Sequence, residues 1–299
     1  MDKEFYNDAS AARLGWEPDW FIPGHTAFDK ALTKAIKLFQ ASHGLTADGL
    51  CGPSTFRHIN AEVESKRELE KLGWVTDSSD VIWWDDTPIK IDWPSHLVHT
   101  YKDPGFPYPI SKGVTKNSRK RTIKSFVNHW DVCLSSMSCA RVLHKRNISV
   151  HFCIDNDGSI IQLHSLNDSC WHAGNRNVNK YSIGVEIANA YYPKYQSWYK
   201  KNIGEERPMM EGALAQNKTL DPFTWFYPVQ LEALDALWKA VHEGCGIPLE
   251  APDTKWAYDS EAASGRFKGF MNHFHCSKKK IDVGGLDIEA RLQNIKDKV

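Results

Sequence analysis

The sequence contains no hydrophobic run of the roughly 18–20 residues that a membrane-spanning helix needs, so we expect no membrane insertion. It begins with MDKEFYNDASAARLGW, which carries acidic residues and lacks the apolar core of a secretory signal peptide. We therefore expect a protein that is held in the cytoplasm. The seven cysteines include no CxxC pair, which argues against a thiolate zinc finger, and their odd number argues against a disulfide scaffold.

Neither sign of charge is in excess, because 37 lysines and arginines balance 37 aspartates and glutamates. Such a chain has no global basic field to attract nucleic acid, so we expect no nucleic-acid partner. Hydrophobic residues make up 41% and charged residues 25% of the sequence, which is typical of folded globular proteins and excludes intrinsic disorder. The 299 residues suffice for one large domain or two ordinary ones, and we expect a monomer.

The first sixty residues predict a small helical unit. Over residues 27–40, apolar side chains recur at helical spacing opposite a set of lysines. Asp48-Gly49 and Gly52-Pro53 then predict two tight turns before another short helix. The pattern FQxxxGLxxDGxxGxxTF in this segment resembles the three-helix peptidoglycan-binding module found beside many cell-wall hydrolases. The resemblance implies a wall-binding domain over residues 1–61.

A second, larger domain is expected over residues 119–299, after a connector rich in Trp and Pro over residues 62–118. SFVNHWD and YSIGVEI predict buried strands, and SVHFCIDNDGSIIQL predicts a hairpin around an Asn-Asp-Gly turn. A long amphipathic helix is predicted after Tyr227. This order of elements predicts an α/β fold with a mixed central sheet flanked by helices, beside the small N-terminal three-helix domain.

Histidines at two places in this second domain could take part in chemistry. His129 lies at the end of a predicted apolar strand, and His273, His275 and Asp282 lie in a loop before a glycine turn. Two imidazole nitrogens and one carboxylate oxygen would leave a fourth position for water, as in a catalytic zinc site. The spacing permits such a site without selecting its ligands.

Glu186 is an acidic residue inside an otherwise apolar predicted strand. A carboxylate buried there without a partner would be destabilising, and a water held by a metal ion would supply that partner. The alternative is that Glu186 occupies an outward strand position and faces solvent.

Five motifs in order, VNHWD, SVHFCIDNDGSIIQL, WHAGN, YSIGVEI and HFHCSKKKID, resemble the zinc-dependent N-acetylmuramoyl-L-alanine amidases. That family includes phage lysozymes of the amidase type and bacterial recycling amidases. The resemblance spans roughly residues 120–290 and implies bacterial peptidoglycan as partner and Zn as cofactor. It also implies cleavage of the amide bond between N-acetylmuramic acid and L-alanine. Together with the N-terminal module it resembles a phage endolysin, which stays in the host cytoplasm until it is released to the cell wall.

The resemblance implies His129, His273 and Asp282 as the metal ligands. His275 stays open as an alternative to His273, and Cys276 as an alternative sulfur ligand. We prefer His273 because the small polar residue before it and its nine-residue separation from Asp282 resemble the loop of the family.

The resemblance further implies that Glu186 is the general base and that Lys280 stabilises the oxyanion. The phage-lysozyme branch has a catalytic tyrosine before the HF of the second motif, where this chain has Val150, so we expect the glutamate-assisted mechanism. WHAGN resembles a loop that flanks the substrate groove. The residues that we expect to bind substrate are Asn128, Trp171 and His172.

Two other functions stay open from the sequence. A non-catalytic peptidoglycan-recognition protein shares this fold but lacks a zinc ligand, whereas all three positions here hold acceptable ligands. A zinc peptidase that cuts within the stem peptide could use the same wall-binding domain. Only the reaction products would distinguish that peptidase from an amidase.

Overall fold

The computed structural model describes residues 2–56, 58–59, 63 and 80–297. The chain divides into two compact units, Met1–Val75 and Thr76–Val299. The expected connector over residues 62–118, with its two boundaries, stays a prediction, and residues 62 and 64–79 of it lie outside the described residues.

The first unit is a small helical domain. Its helices are α1 (Lys3–Leu14) and α2 (Lys30–Ser42), and residues 53–56 and 58–59 are also helical. The carboxylates of Asp2 and Asp29 accept backbone N–H groups and so begin α1 and α2. Leu32 and Ile36 of the predicted apolar stripe are fully buried in the core of this unit.

Gln40 holds the two turns of the FQxxxGLxxDGxxGxxTF motif together. Its Nε2 donates to Asp48 Oδ1 at 2.9 Å and to Thr55 Oγ1 at 3.0 Å. Its Oε1 accepts the Gly49 N–H at 2.8 Å, and Gly49 has a φ of 77°, which favours glycine. These contacts give the conspicuous residues of the motif a structural role.

The second unit contains fourteen strands and seven α-helices within residues 80–297. The strands are β1 (Val81–Trp84), β2 (Thr87–Lys90), β3 (Val98–Thr100), β4 (Val114–Thr115), β5 (Ser125–Trp130), β6 (Phe152–Ile154), β7 (Ile160–Gln162), β8 (Ser169–Cys170), β9 (Ser182–Ile187), β10 (Met209–Met210), β11 (Leu214–Ala215), β12 (Lys218–Thr219), β13 (Phe223–Thr224) and β14 (Gly269–Asn272). The helices are α3 (Ser136–Arg146), α4 (Arg176–Tyr181), α5 (Gln196–Asn202), α6 (Pro228–Cys245), α7 (Ser260–Ser264), α8 (His273–Cys276) and α9 (Ile288–Lys296). None of the helices in the described ranges is long and apolar enough to cross a membrane.

Six strands form the central sheet in the order β14-β5-β9-β6-β7-β3. β6 and β7 are antiparallel, whereas the other neighbours in the sheet are parallel. Helix α6 buries Leu234, Leu237 and Trp238 in the core that covers this sheet. The predicted fold, a mixed sheet flanked by helices with a small helical domain before it, is confirmed.

Candidate active site

The neighbouring parallel strands β5, β9 and β14 end at the same edge of the sheet, where the predicted catalytic residues lie. His129 is the second-last residue of β5 and pairs in register with Glu186 of β9. Register partners on adjacent strands point to the same face, so both side chains lie on one side of the sheet. His273 follows β14 directly, which brings it beside β5. The carboxyl ends of parallel strands are a common location for active sites in α/β folds.

Three of the predicted ligand residues form a compact cluster. His129 Nδ1 lies 3.0 Å from His273 Nδ1 and 3.2 Å from Asp282 Oδ2, and the last two atoms are 2.8 Å apart. A tetrahedral zinc ion with bonds of about 2.0–2.1 Å would separate its ligand atoms by about 3.3 Å. Two imidazole nitrogens and one carboxylate oxygen at this spacing fit such an ion, so His129, His273 and Asp282 form a candidate metal site.

The two alternative ligands lie outside this cluster. His275 is buried, and its Nδ1 accepts the Asn272 N–H at 3.0 Å, which caps helix α8. Cys276 packs in an apolar cluster, and its Sγ lies 3.7 Å from Met271 Sδ.

The electrostatic environment keeps His129 and Asp282 in the ionisation states that bind a metal. Burial lowers the pKa of His129 to about 4, and the neighbouring His273 acts in the same direction, so His129 is neutral near pH 7. Burial alone would raise the pKa of Asp282, but the adjacent imidazoles hold it well below its usual range. A neutral imidazole and an ionised carboxylate are the forms that coordinate a metal ion.

Glu186 and Lys280 lie within electrostatic reach of one another. Glu186 is half-buried, and its Oε2 is buried with no hydrogen-bond partner among the described residues. Burial raises the pKa of Glu186 well above its usual range, Asp131 and Asp282 add to the shift, and Lys280 opposes it. Lys280 itself is exposed in the loop that leads to Asp282. A carboxyl group with a raised pKa and an oxygen that accepts no hydrogen bond from the described residues is suited to proton transfer.

The three residues predicted to bind substrate have different surroundings. Asn128 is fully buried, where it donates to Met271 O at 3.1 Å and accepts from Trp238 Nε1 at 3.2 Å. It adjoins His129 along β5 and therefore points to the opposite face of the sheet. Trp171 is 42% exposed, whereas His172 is buried with its Nδ1 3.0 Å from His129 Nε2. The substrate contact at Trp171 stays a prediction for an exposed ring, whereas both amide atoms of Asn128 are engaged by buried protein groups.

Gln216 is a residue that the sequence did not single out. It lies in the turn between β11 and β12, and its Nε2 lies within 3.0 Å of the carbonyl oxygens of Phe274, Ser277 and Lys280. The turn is a sequence-local feature, but its partners are about sixty residues away, so no local signal could reveal the contact. Gln216 thus fastens the loop that carries Lys280.

Two family models match parts of the chain. Residues 119–255 match the N-acetylmuramoyl-L-alanine amidase family, and residues 12–59 match a putative peptidoglycan binding domain. The first region contains β5, β6, β7 and β9 of the central sheet, with His129 and Glu186, and the second contains α2 of the N-terminal unit. The chain therefore contains a domain of the N-acetylmuramoyl-L-alanine amidase family after an N-terminal domain of the peptidoglycan-binding type.

Several solved amidase structures are similar to the chain at low sequence identity. The N-acetylmuramoyl-L-alanine amidase LysC from Clostridium intestinale URNW is 14% identical, and the match covers 67% of this chain and 95% of that one with a TM-score of 0.39. The Staphylococcus aureus hydrolase AmiA in complex with its ligand is 13% identical, with 69% and 92% covered and a TM-score of 0.39. AmiD from E. coli, in complex with the substrate anhydro-N-acetylmuramic acid-L-Ala-D-gamma-Glu-L-Lys, is 21% identical, with 46% and 55% covered and a TM-score of 0.30. No curated protein sequence matches the chain.

Proposed function

We propose that this amidase is a zinc-dependent peptidoglycan hydrolase of the endolysin type. The observation that carries the proposal is the convergence of His129 Nδ1, His273 Nδ1 and Asp282 Oδ2. Glu186 shares the face of the sheet on which His129 lies. A Zn²⁺ ion held by the three donor atoms would polarise the scissile carbonyl and make a water molecule acidic near neutral pH.

Glu186 would act as the general base and then as the general acid. Its Oε2, which has no protein hydrogen-bond partner among the described residues, would take a proton from the water that attacks the carbonyl carbon. As the bond between carbon and nitrogen breaks, the same carboxyl would return the proton to the amine of L-alanine. Trp171 would present its exposed ring to the substrate beside this centre.

Lys280 would stabilise the negative charge that develops on the carbonyl oxygen. Replacement of Lys280 by alanine is expected to lower turnover about 100- to 1,000-fold, as the loss of an oxyanion donor typically does, while the fold and the zinc content persist. Turnover on a soluble muropeptide measures the loss. Lys279→Ala is the matched control, because Lys279 is the exposed neighbour in the same run of lysines. Equal turnover of the two variants would exclude Lys280 from the chemistry.

The products of peptidoglycan digestion test the bond that is cut. Mass spectrometry should find stem peptides with a free L-alanine amine and glycan strands whose N-acetylmuramic acid carries no peptide. Peptides cut between stem residues would instead indicate a peptidase. A digest with the Glu186→Gln variant serves as the control with little or no cleavage.

The endolysin role is supported by the pairing of a wall-binding type of domain with the amidase domain. An amidase that acts only on small soluble muropeptides gains nothing from attachment to the wall, whereas a lytic enzyme does. Production of the protein in a bacterial cytoplasm should leave cells intact until a membrane pore is opened, and lysis should then follow. Intact cells after pore formation would argue against a lytic role.

Removal of the first unit, Met1–Val75, is expected to weaken binding to insoluble walls and to slow their lysis. A tethered enzyme works at a raised local substrate concentration, and removal of the tether leaves the reacting bond untouched. Sedimentation with purified walls and cleavage of a soluble muropeptide measure the two properties. Unchanged sedimentation would show that the unit does not bind the wall, and an equal loss on both substrates would show that it supports the catalytic fold.

A further inference from the structure

A chain of buried hydrogen bonds extends from the candidate metal site into the protein. His129 Nε2 lies 3.0 Å from His172 Nδ1, and His172 Nε2 lies 3.2 Å from Ser182 Oγ. The Ser182 hydroxyl donates to Val178 O at 2.8 Å. His129, His172 and Ser182 are all buried, so water does not compete for these contacts.

The direction of each hydrogen bond follows from the two groups at the ends of this hydrogen-bond series, the Val178 carbonyl and the metal-binding nitrogen of His129. The single Ser182 hydroxyl proton is given to Val178 O, so Ser182 Oγ accepts from His172 Nε2–H. A nitrogen that binds a metal carries no proton, and His129 therefore holds its proton on Nε2 when Nδ1 is a ligand. His172 Nδ1 is left as the acceptor of that proton, which fixes the ring of His129 in the tautomer that binds the ion.

Ala173, the residue after His172, orients the ring of His273. Ala173 O lies 3.2 Å from His273 Nε2 and accepts its proton, which leaves His273 Nδ1 free for the metal. The Ala173 N–H in turn donates to Asn179 Oδ1 at 2.9 Å. One two-residue segment thus orients both imidazoles, one through a side chain and the other through the backbone.

Gly184 makes room for the His172 ring against strand β9. A Cβ atom at position 184 would lie 2.7 Å from His172 Cγ and 2.7 Å from its Nδ1, which is too close for carbon. Gly184 lies between Ile183 and Val185 in the middle of the strand, where glycine is otherwise unfavourable. A glycine at this position is explained by the space that the His172 ring needs.

We infer that His172, supported by Ser182 and Gly184, is a positioning residue that orients His129 for metal binding. Both ring nitrogens of His172 are engaged by protein atoms, and this differs from the substrate contact expected from the sequence. The inference rests on the proposed metal site. Groups that hydrogen-bond a metal-binding histidine typically account for 10- to 100-fold in metal affinity or activity.

The test is the zinc affinity of full-length variants, measured by competition with a chromophoric chelator, together with the absorption spectrum of the Co²⁺-substituted protein. His172→Leu removes the acceptor and is expected to weaken zinc binding about 10- to 100-fold and to change the Co²⁺ spectrum. His172→Asn places an amide oxygen near the position of Nδ1 and should restore most of the affinity. His164→Leu is the control, because His164 is equally buried but has no contact with a candidate ligand.

Wild-type affinity and an unchanged Co²⁺ spectrum in folded His172→Leu would overturn the inference and leave the proposed metal site intact. Failure of the wild-type protein to bind zinc would instead overturn the proposed function. If His172→Leu does not fold, Gly184→Ala and Ser182→Ala decide, since each disturbs the ring without removing it. Both should bind zinc more weakly than His164→Leu, and affinities equal to that control would refute the inference.

Discussion

Replacement of His273 by alanine is expected to remove bound zinc and to reduce amidase activity to background. The substitution deletes one of the three donor atoms, since His273 Nδ1 lies 3.0 Å from His129 Nδ1 and 2.8 Å from Asp282 Oδ2. Catalytic zinc sites generally need three protein ligands, so His129 and Asp282 alone should not retain the ion. Metal analysis of purified protein and turnover on a soluble muropeptide measure the two losses.

His275→Ala is the matched control for this substitution. His275 lies two residues along the same short helix and is equally buried, but its Nδ1 accepts a backbone N–H of Asn272. Its loss should lower the free energy of unfolding by about 1–3 kcal/mol through the unsatisfied N–H group, while zinc stays bound. Zinc retained by His273→Ala and lost from His275→Ala would show that the ligand assignment is reversed.

Local patterns in the sequence were sufficient to predict many of the strands, helices and turns of the fold. Alternating apolar residues predicted β6 and β7, and the Asn-Asp-Gly turn between them is present, with Gly158 at a φ of 84°. The long apolar helix after Tyr227 is α6. Such features depend on residues close in sequence, so they can be read without knowledge of the tertiary structure.

The arrangement of the site depended on contacts that no local pattern contains. The pairing of His129 with Glu186, like the contact of Gln216 with the loop before Lys280, is set by packing between distant segments. Asn128 is a different case, because the alternation of side chains along a strand already indicates that it faces away from His129. The expectation that Asn128 binds substrate stays a prediction, and this orientation and its buried hydrogen bonds do not favour it.

Replacement of Glu186 by glutamine is expected to lower turnover about 100- to 10,000-fold while zinc content and fold persist. The amide has nearly the shape of the carboxyl but cannot take a proton from water. Because Glu186 Oε2 has no hydrogen-bond partner among the described residues, the substitution breaks no known protein contact of that atom. Turnover on a soluble muropeptide, with metal analysis and thermal unfolding of the same sample, separates chemistry from structure.

The outcome distinguishes the two readings of a carboxyl within an apolar strand. If Glu186 has only a structural role, its replacement by glutamine should leave the free energy of unfolding unchanged or raise it, since a neutral amide is less costly to bury than a charge. A catalytic Glu186 would give a protein of equal or greater stability that binds zinc and hardly turns over. Near-normal turnover in Glu186→Gln would therefore exclude Glu186 as the base, and the proton would have to be accepted by another group beside His129.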